Sequence, residues 1–523
     1  MSDEQLIAAM SKPGFYPHKP VSVELVQTHI SCVFIAGNLV YKVKKPVDFG
    51  FLDFTTLEKR KFYCTEELRL NKRLAPSIYL HVAPISKNDG GYYVPGEGKN
   101  VVDYAVVMKK LPPDKMLKTM LAKGQADESV MDAVAEKIAR FHSNAQTGGR
   151  INEMGSIKTI SHNHEENFDQ TKKYIGATIT SARYHFIKDY VQGFLFKNKP
   201  LFEKRVIEKK IRDCHGDLHL EHICVTDDIV IYDCIEFNER FRFADVAAEV
   251  AFLTMDLDFN GYHAFAETFA RHYLKYSGDN DMTRLLNFYR CYYAYVRGKV
   301  TSFRLDQEGI TEKERQDISQ IAAKYFELSY LYAARLEKPA LILTAGLMGS
   351  GKSYQARTLG RALGAEVIRT DVLRKELSDI EPTQAKHENF GQGIYSDEAS
   401  RRTYEKIYEL AAQIIKQGKP VIIDASFKKR SERKKAYALA RNLGVGFYVI
   451  ECVCPDDTTR KRLEKRAREK NNVSDGRWEI FHEQKKDFEA IDEISPKQHF
   501  KIDTSAEPEA ARLKIIEKIK KFE

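Results

Sequence analysis

The chain has 523 residues, a formal net charge of +9, and is 43% hydrophobic, 11% aromatic and 30% charged. A single core stops growing near roughly 250–300 residues, so about two to four domains are expected, and the composition excludes disordered, collagenous and low-complexity classes. No apolar run reaches the roughly 18 residues of a membrane helix, and eight cysteines without a CxxC pair are too few for a disulfide scaffold, so a soluble, cytoplasmic, reduced protein is expected.

Residues 23–47 read as strands, with Gly37-Asn38 turning one apolar run into the next as a hairpin. A charged helix follows from Thr56 to Leu74, then strands from Tyr79 to Ile85 and Val101 to Met108, then helical periodicity to about Leu336. Strands first and helices after predict a two-lobed α+β domain over residues 1–337, with lobes about 1–108 and 109–337. From Pro339 the pattern becomes strand, turn and helix, repeated through ALILTAGL, AEVIRTD, PVIIDASF and FYVIECVC. That alternation predicts an α/β domain with a mostly parallel sheet over residues 338–523.

The first domain carries the run Cys214-His-Gly-Asp217-Leu-His219-Leu-Glu-His222, followed eleven residues later by Asp233 at the end of the strand IVIYD. A loop aspartate that takes a hydroxyl proton and a strand-end aspartate that holds Mg²⁺ are the protein's minimum contribution to phosphoryl transfer. Cys214, His215, His219, Cys224 and Cys234 fit no standard zinc spacing. The pattern resembles the aminoglycoside and choline kinase-like family, whose H-G-D-x-H-x-x-N loop and downstream aspartate do these jobs. The resemblance implies a two-lobed kinase-like fold, with Asp217 as base and Asp233 as metal ligand. It also implies Lys42 or Lys44 on the α/β phosphates of ATP, paired with Glu66 or Glu67, and Met108 to Leu111 near adenine. Lys42 and Lys44 share a strand face, so the sequence does not choose between them; Lys42 and Glu67 are preferred. Ala139–His142 echoes a helix motif of that family, and Asp245 and Glu249 match a segment read as architecture. His222 stands where the family has asparagine, and imidazole suits Mn²⁺ better than Mg²⁺.

The second domain opens with Gly346-Leu-Met-Gly349-Ser350-Gly351-Lys352-Ser353, a complete G-x-x-x-x-G-K-S between an apolar strand and a helix that continues through Tyr354. Its backbone N–H groups would cradle phosphates, Lys352 would neutralise the β/γ oxygens and Ser353 would hold Mg²⁺ with Asp424. Asp371 and Arg374 form a D-x-x-R step where an open α/β sheet binds its ligand. Arg460, Arg462, Arg466 and Arg468 lie where a mobile lid would place arginines on the transferring phosphoryl group. These features resemble the small P-loop kinases of free hydroxyls, which include gluconate and shikimate kinases, zeta toxins and polynucleotide 5′-kinases. The resemblance puts the base role on Asp371, with Arg374 beside it.

The whole arrangement resembles a bacterial bifunctional family that joins an aminoglycoside phosphotransferase-like domain to a P-loop kinase. It implies a transferase with two sites for ATP, or GTP, each phosphorylating a hydroxyl of a small-molecule acceptor without a membrane. One alternative makes the first domain a binding pseudokinase. Another has the second domain phosphorylate RNA or DNA ends through Lys428–Lys435, six cations against Glu432, and Arg460–Lys470, seven against two acids. Nucleic acid is not favoured, because no aromatic stacking platform accompanies those runs. The aromatic helix Phe288 to Val300 reads as packing before it reads as an acceptor pocket.

Overall fold

The computed structural model describes residues 4–88, 93–96, 100–381, 392–468, 476–505 and 509–521. They form two compact units, Met1–Tyr174 with Tyr190–Ser329, and Ile175–Asp189 with Tyr330–Glu523. Residues 175–189 join the second unit through Arg183, which pairs with Glu509 at 2.8 Å and lies over Tyr330, and through Phe186, which meets the Tyr330 ring edge-on. No periodicity in the sequence marks that exchange.

The first unit begins with an antiparallel sheet of β1 (Val23–Gln27), β2 (Ser31–Ala36), β3 (Leu39–Lys44), β4 (Tyr79–Lys87), β5 (Tyr93–Pro95) and β6 (Val101–Lys109), in the order β1-β2-β3-β6-β4-β5. Ala36 faces Leu39 across the hairpin, so Gly37 and Asn38 are its whole loop, and Gly37 takes φ +64° as that turn requires. Helix α1 (Leu57–Asn71) is started by the Thr56 side chain, which accepts the Lys59 N–H, and packs on β4 and β6. Its buried stripe is Arg60, Cys64, Glu67, Leu70 and Asn71, mostly polar at helical spacing. The sheet therefore receives charges, and those charges build the site.

Beyond the sheet come α2 (Glu128–Asn144), α3 (Ile157–Thr171), α4 (Val246–Phe259), α5 (His263–Ser277) and α6 (Met282–Phe303). Every residue from Val246 to Leu257 is buried, so α4 is a central helix covered on all sides. Two short antiparallel pairs lie among the helices, β7 (Ile211–Asp213) with β10 (Phe243–Asp245) and β8 (Ile223–Val225) with β9 (Ile229–Ile231). Three-residue strands are too short to leave a periodic signal: the expected strand IVIYD holds β9, whereas the helical expectation missed the other three.

The second unit is built on five parallel strands in the order β12-β13-β11-β14-β15: β11 (Ala340–Ala345), β12 (Glu366–Arg369), β13 (Val421–Asp424), β14 (Gly446–Val453) and β15 (His499–Asp503). Helices α7 (Lys352–Leu363), α8 (Thr370–Glu376), α9 (Asp397–Lys416), α10 (Arg430–Leu443) and α11 (Asp456–Ala467) connect the first four strands and follow the fourth. All six residues of β11 and all four of β13 are buried, which explains why they are apolar apart from Thr344 and Asp424. β15 alternates buried and exposed residues at the sheet edge, and its sequence HFKID gave no comparable signal.

Candidate active site

In the first unit Lys42 and Lys44 point from β3 to the same face, where Glu67 of α1 is buried. Glu67 Oε2 accepts from Lys44 Nζ at 2.7 Å, and Oε1 lies 2.9 Å from Lys42 Nζ, an ion contact without hydrogen-bond geometry. Glu66 faces outward and pairs with Arg69 at 2.7 Å. The two lysines differ in their second partner. Lys44, 1% exposed, also pairs with Glu236 and lies over the Phe54 ring. Lys42, 14% exposed, reaches Asp233 at 2.6 Å. Burial alone would push both ammoniums down, but the carboxylates prevail and hold both above the ordinary lysine value. Glu67, facing both, is held low against its burial, whereas burial pushes Glu236 up. The sequence pattern gave no reason to single out Glu236, three residues past Asp233.

Asp233 adopts φ +63°, an uncommon conformation for a residue with a side chain. It is held there by Cys234 N–H donating to Asn71 Oδ1 at 2.9 Å and by its own N–H donating to the Tyr79 hydroxyl at 3.3 Å. Against burial, Lys42 and His222 keep its carboxyl well below the usual range. The loop before it is fixed from α4: Glu249 Oε1 accepts the N–H groups of His215 and Gly216, both at 2.7 Å, and Oε2 meets His142 Nε2 at 2.7 Å. Glu249, His142 and Asp245, which pairs with buried Arg205, hold the loop and its supports. Met108 packs with Tyr79, Val106, Leu111 and Tyr232 where the sheet meets β9.

Asp217 lies 3.4 Å from His219 Nε2, and these neighbours keep its carboxyl well below the usual range although burial opposes them, His219 first and His222 next. His222 Nδ1 is 2.9 Å from the Asp217 carbonyl oxygen, which only accepts, so Nδ1 carries the proton in the neutral ring. Burial pushes the His222 pKa down, which favours that neutral form. Nε2 then presents its lone pair to Asp233 Oδ2, 3.5 Å away, close to the spacing of two atoms that each sit about 2.1 Å from one metal ion. Asp217, His219 and His222 also offer ligand atoms within 4.8 Å of one another. Cys224 and Cys234 stand apart, one in the apolar cluster with Tyr79 and the other donating its thiol to the His215 carbonyl.

In the second unit the glycine loop leaves β11 with Gly346 at φ +132°, Gly349 at +73° and Gly351 at +86°. A Cβ on Gly346 would meet the Cys452 carbonyl oxygen at 2.3 Å, and one on Gly349 would meet Thr459 at 2.9 Å. Lys352 opens α7 and folds its Nζ back to the Leu347 carbonyl at 2.8 Å, while the buried Ser350 hydroxyl has no partner. Asp424 ends β13 opposite Arg369 and is hydrogen-bonded by Ser353. Burial pushes the Lys352 ammonium down and the Asp424 carboxyl up, so their neighbours only partly make up for the water each charge has lost. Asp371, in the first turn of α8, and Arg466 of α11 bear on the charge of Lys352. The cradle of glycines, the unpartnered Ser350 hydroxyl and the Ser353–Asp424 pair fit a triphosphate with Mg²⁺.

Two arginines are turned differently from the expectation. Arg374 is buried; its Nη1 donates to the Ile394 carbonyl at 2.8 Å and Ser400 Oγ at 3.0 Å, and its Nε has no partner. Arg462 spans Thr504 Oγ1 at 2.9 Å and the Gly349 carbonyl at 3.4 Å, tying the glycine loop to the end of β15. Arg460 pairs with Glu464. Tyr354 is exposed on α7 beneath Arg512. Glu469 and Lys470, the end of the expected basic stretch, lie outside the described residues. The basic run at 428–435 is largely neutralised: Lys428 and Lys429 pair with Asp487, Arg430 with Asp492, Arg433 with Glu493 and Lys435 with Glu432. Reversing the charges of Lys428, Lys429, Lys434 and Lys435 should therefore change oligonucleotide affinity little in a filter-binding titration at physiological salt, since few cations there are left to displace counterions.

A family description for an AAA domain matches residues 341–491, which carry the glycine loop and nearly all of strands β11 to β14. The uncharacterized proteins Rv2004c of Mycobacterium tuberculosis H37Rv and Mb2027c of Mycobacterium bovis are 30% identical to the chain over 446 residues, which cover 85% of it and 86% of each of them. The chain belongs to their family. Among solved structures it is similar to the M. tuberculosis APS kinase CysC in complex with AMPPNP and APS, at 16% identity and a TM-score of 0.27 over 35% of this chain and 98% of that one. It is also similar to a gluconokinase from Sinorhizobium meliloti, at 19% identity and a TM-score of 0.24 over 35% of this chain and 91% of that one. No helix among the described residues is long and apolar enough to cross a membrane.

Proposed function

We propose that the chain is a tandem ATP-dependent phosphotransferase, each unit moving the γ-phosphoryl group to a hydroxyl of a small molecule. The observation that carries the two-site reading is Lys42, set between Glu67 and Asp233 in a unit that has no glycine loop of the G-x-x-x-x-G-K-S kind. In the first unit Lys42, fixed by Glu67, holds phosphate oxygens, Asp217 takes the acceptor proton, and Asp233 with His222 Nε2 holds the metal ion. In the second unit the loop N–H groups and Lys352 hold the β/γ oxygens and Ser353 with Asp424 holds Mg²⁺. There Asp371 takes the proton, Arg466 faces the transferring group, and Arg374 shapes the acceptor side through residues 394 and 400. The divalent ion, when bound, offsets the charge that develops on the phosphate oxygens.

The two sets share no residue, so Lys352→Ala and Asp217→Asn should each remove one nucleotide-consuming activity and spare the other. A calorimetric count of one ATP per chain would instead support the reading in which the first unit only binds and regulates. The His222 ring favours that second reading if it is a poor metal ligand, and this can be measured. If Nε2 contacts the metal, Mn²⁺ should outperform Mg²⁺ at the first site, and His222→Asn should shift the preference toward Mg²⁺. Because burial holds the His222 pKa below the ordinary imidazole value, the wild-type acid limb should lie below pH ~6.5. Equal Mg²⁺ dependence in both proteins would end the ligand assignment.

A further inference from the structure

The loop that carries Asp217 rests on α4 and, through it, on α6. Asp256 Oδ2 accepts the Leu220 N–H at 2.9 Å, His219 packs on Phe252, and Phe252 stacks on Tyr293 at 4.3 Å. Arg297 follows Tyr293 by about one turn of α6 and so emerges beside the loop. Its guanidinium is half-buried and lies 5.6 Å over the ring of Tyr325, which is itself stacked on Phe259 at 3.6 Å. Among the described residues no carboxylate lies within 4.0 Å of it. The nearby acids are already engaged: Glu221 pairs with Lys118, and Asp256 holds the Leu220 N–H and the Asn260 amide. Arg297 nevertheless acts on Asp217, as the third cation, after His219 and His222, that lowers its pKa. The Arg297 guanidinium is partnered by Tyr325 and feels Asp217 and Asp256 only beyond contact distance, so it is a cation prepared for an anion that the protein does not supply within 4.0 Å.

Resting on the phosphotransfer reading of this site, we propose that Arg297 binds the acceptor, and that the acceptor carries an anionic group, phosphate or carboxylate, close to the hydroxyl that Asp217 deprotonates. In the step, the hydroxyl oxygen bonds to the γ-phosphorus while the bond from that phosphorus to the β–γ bridging oxygen breaks. ADP leaves with the electron pair, and the hydroxyl proton passes to Asp217. A cationic amino-sugar would instead set its ammonium groups against Arg297 and His219.

The test uses the full chain with Lys352→Ala, which silences the second site, saturated with AMPPNP and Mn²⁺ and titrated calorimetrically with inorganic phosphate and, separately, with glycolate. One anion site is expected, and Arg297→Gln should weaken it by at least about tenfold, the loss of one charge-assisted contact. Arg297→Met serves as the neutral variant if the glutamine protein does not fold. Retention of either anion contact only in proteins that keep Arg297 supports the assignment and tells phosphate from carboxylate. Anion binding that is absent from the parent, or unchanged in the neutral variant, overturns it. Adding Lys42→Ala to the same Lys352→Ala chain reports whether AMPPNP binding at the first site depends on Lys42. If it does not, the phosphotransfer reading falls, which is a different result from a lost anion site beside an intact nucleotide site.

Discussion

Lys42→Ala and Lys44→Ala, two positions apart on one strand face, are expected to give opposite defects. Lys44 is almost sealed from solvent between Glu67 and Glu236. Its removal leaves buried Glu236 without its cation and Glu67 with Lys42 alone, a loss of about 3–5 kcal/mol, because the partner of a buried pair cannot recover its hydration. Lys44→Ala should therefore lower the melting temperature strongly and lose nucleotide binding only through that instability. Lys42 is partly exposed; of its two partners Glu67 keeps Lys44, and Asp233 has a side chain 38% exposed, so water can replace the missing ammonium at small cost. What Lys42→Ala removes is a charge-assisted contact to a ligand phosphate, about 1.5–3 kcal/mol, or roughly 10- to 100-fold in ATP affinity at the first site. Calorimetry and thermal melting on the two variants separate the roles. If Lys44→Ala proved stable and Lys42→Ala bound ATP normally, the assignment of Lys42 to the phosphates would be withdrawn.

That distinction shows where the sequence stops being informative. Alternation puts both lysines on one face, and a two-residue Gly-Asn loop fixes the hairpin that brings them there. Which lysine goes inward depends on Glu236, supplied from 192 residues away, and no local pattern reports such a partner. The inner stripe of α1 is hidden for the same reason: Arg60, Glu67 and Asn71 are buried because they have partners, and a hydropathy pattern counts them as surface. The glycine loop, in contrast, is legible in full, because its function is carried by backbone conformations that only glycine allows. Basic residues mislead in the opposite direction. Lys428–Lys435 looks like an open cationic surface until the acids at 487–493 fold against it, and Arg374 and Arg462, which looked available to phosphate, are bonded to backbone and hydroxyl oxygens.

Gly346→Ala should abolish nucleotide binding at the second site, and the reason is geometric before it is chemical. At φ +132° an alanine is strained by about 1–3 kcal/mol. Its Cβ would also stand 2.3 Å from the Cys452 carbonyl oxygen. That oxygen belongs to β14, which is hydrogen-bonded to β11 on one side and β15 on the other, so the sheet cannot step aside as a side-chain tip could. The loop must move instead, breaking the 3.1 Å bond from Gly346 N–H to the Ser426 carbonyl and turning its remaining N–H groups away from one centre. Overpacking of this kind adds about 1–3 kcal/mol to the strain. Gly418→Ala is the matched control: φ is +80°, but nothing lies within 4 Å of the added Cβ, so only the backbone strain remains. The expected calorimetric result is one ATP per chain for Gly346→Ala, bound at the Lys42 site, against two for Gly418→Ala. Two ATP molecules per chain in Gly346→Ala would show that the glycine loop is not the cradle for phosphate.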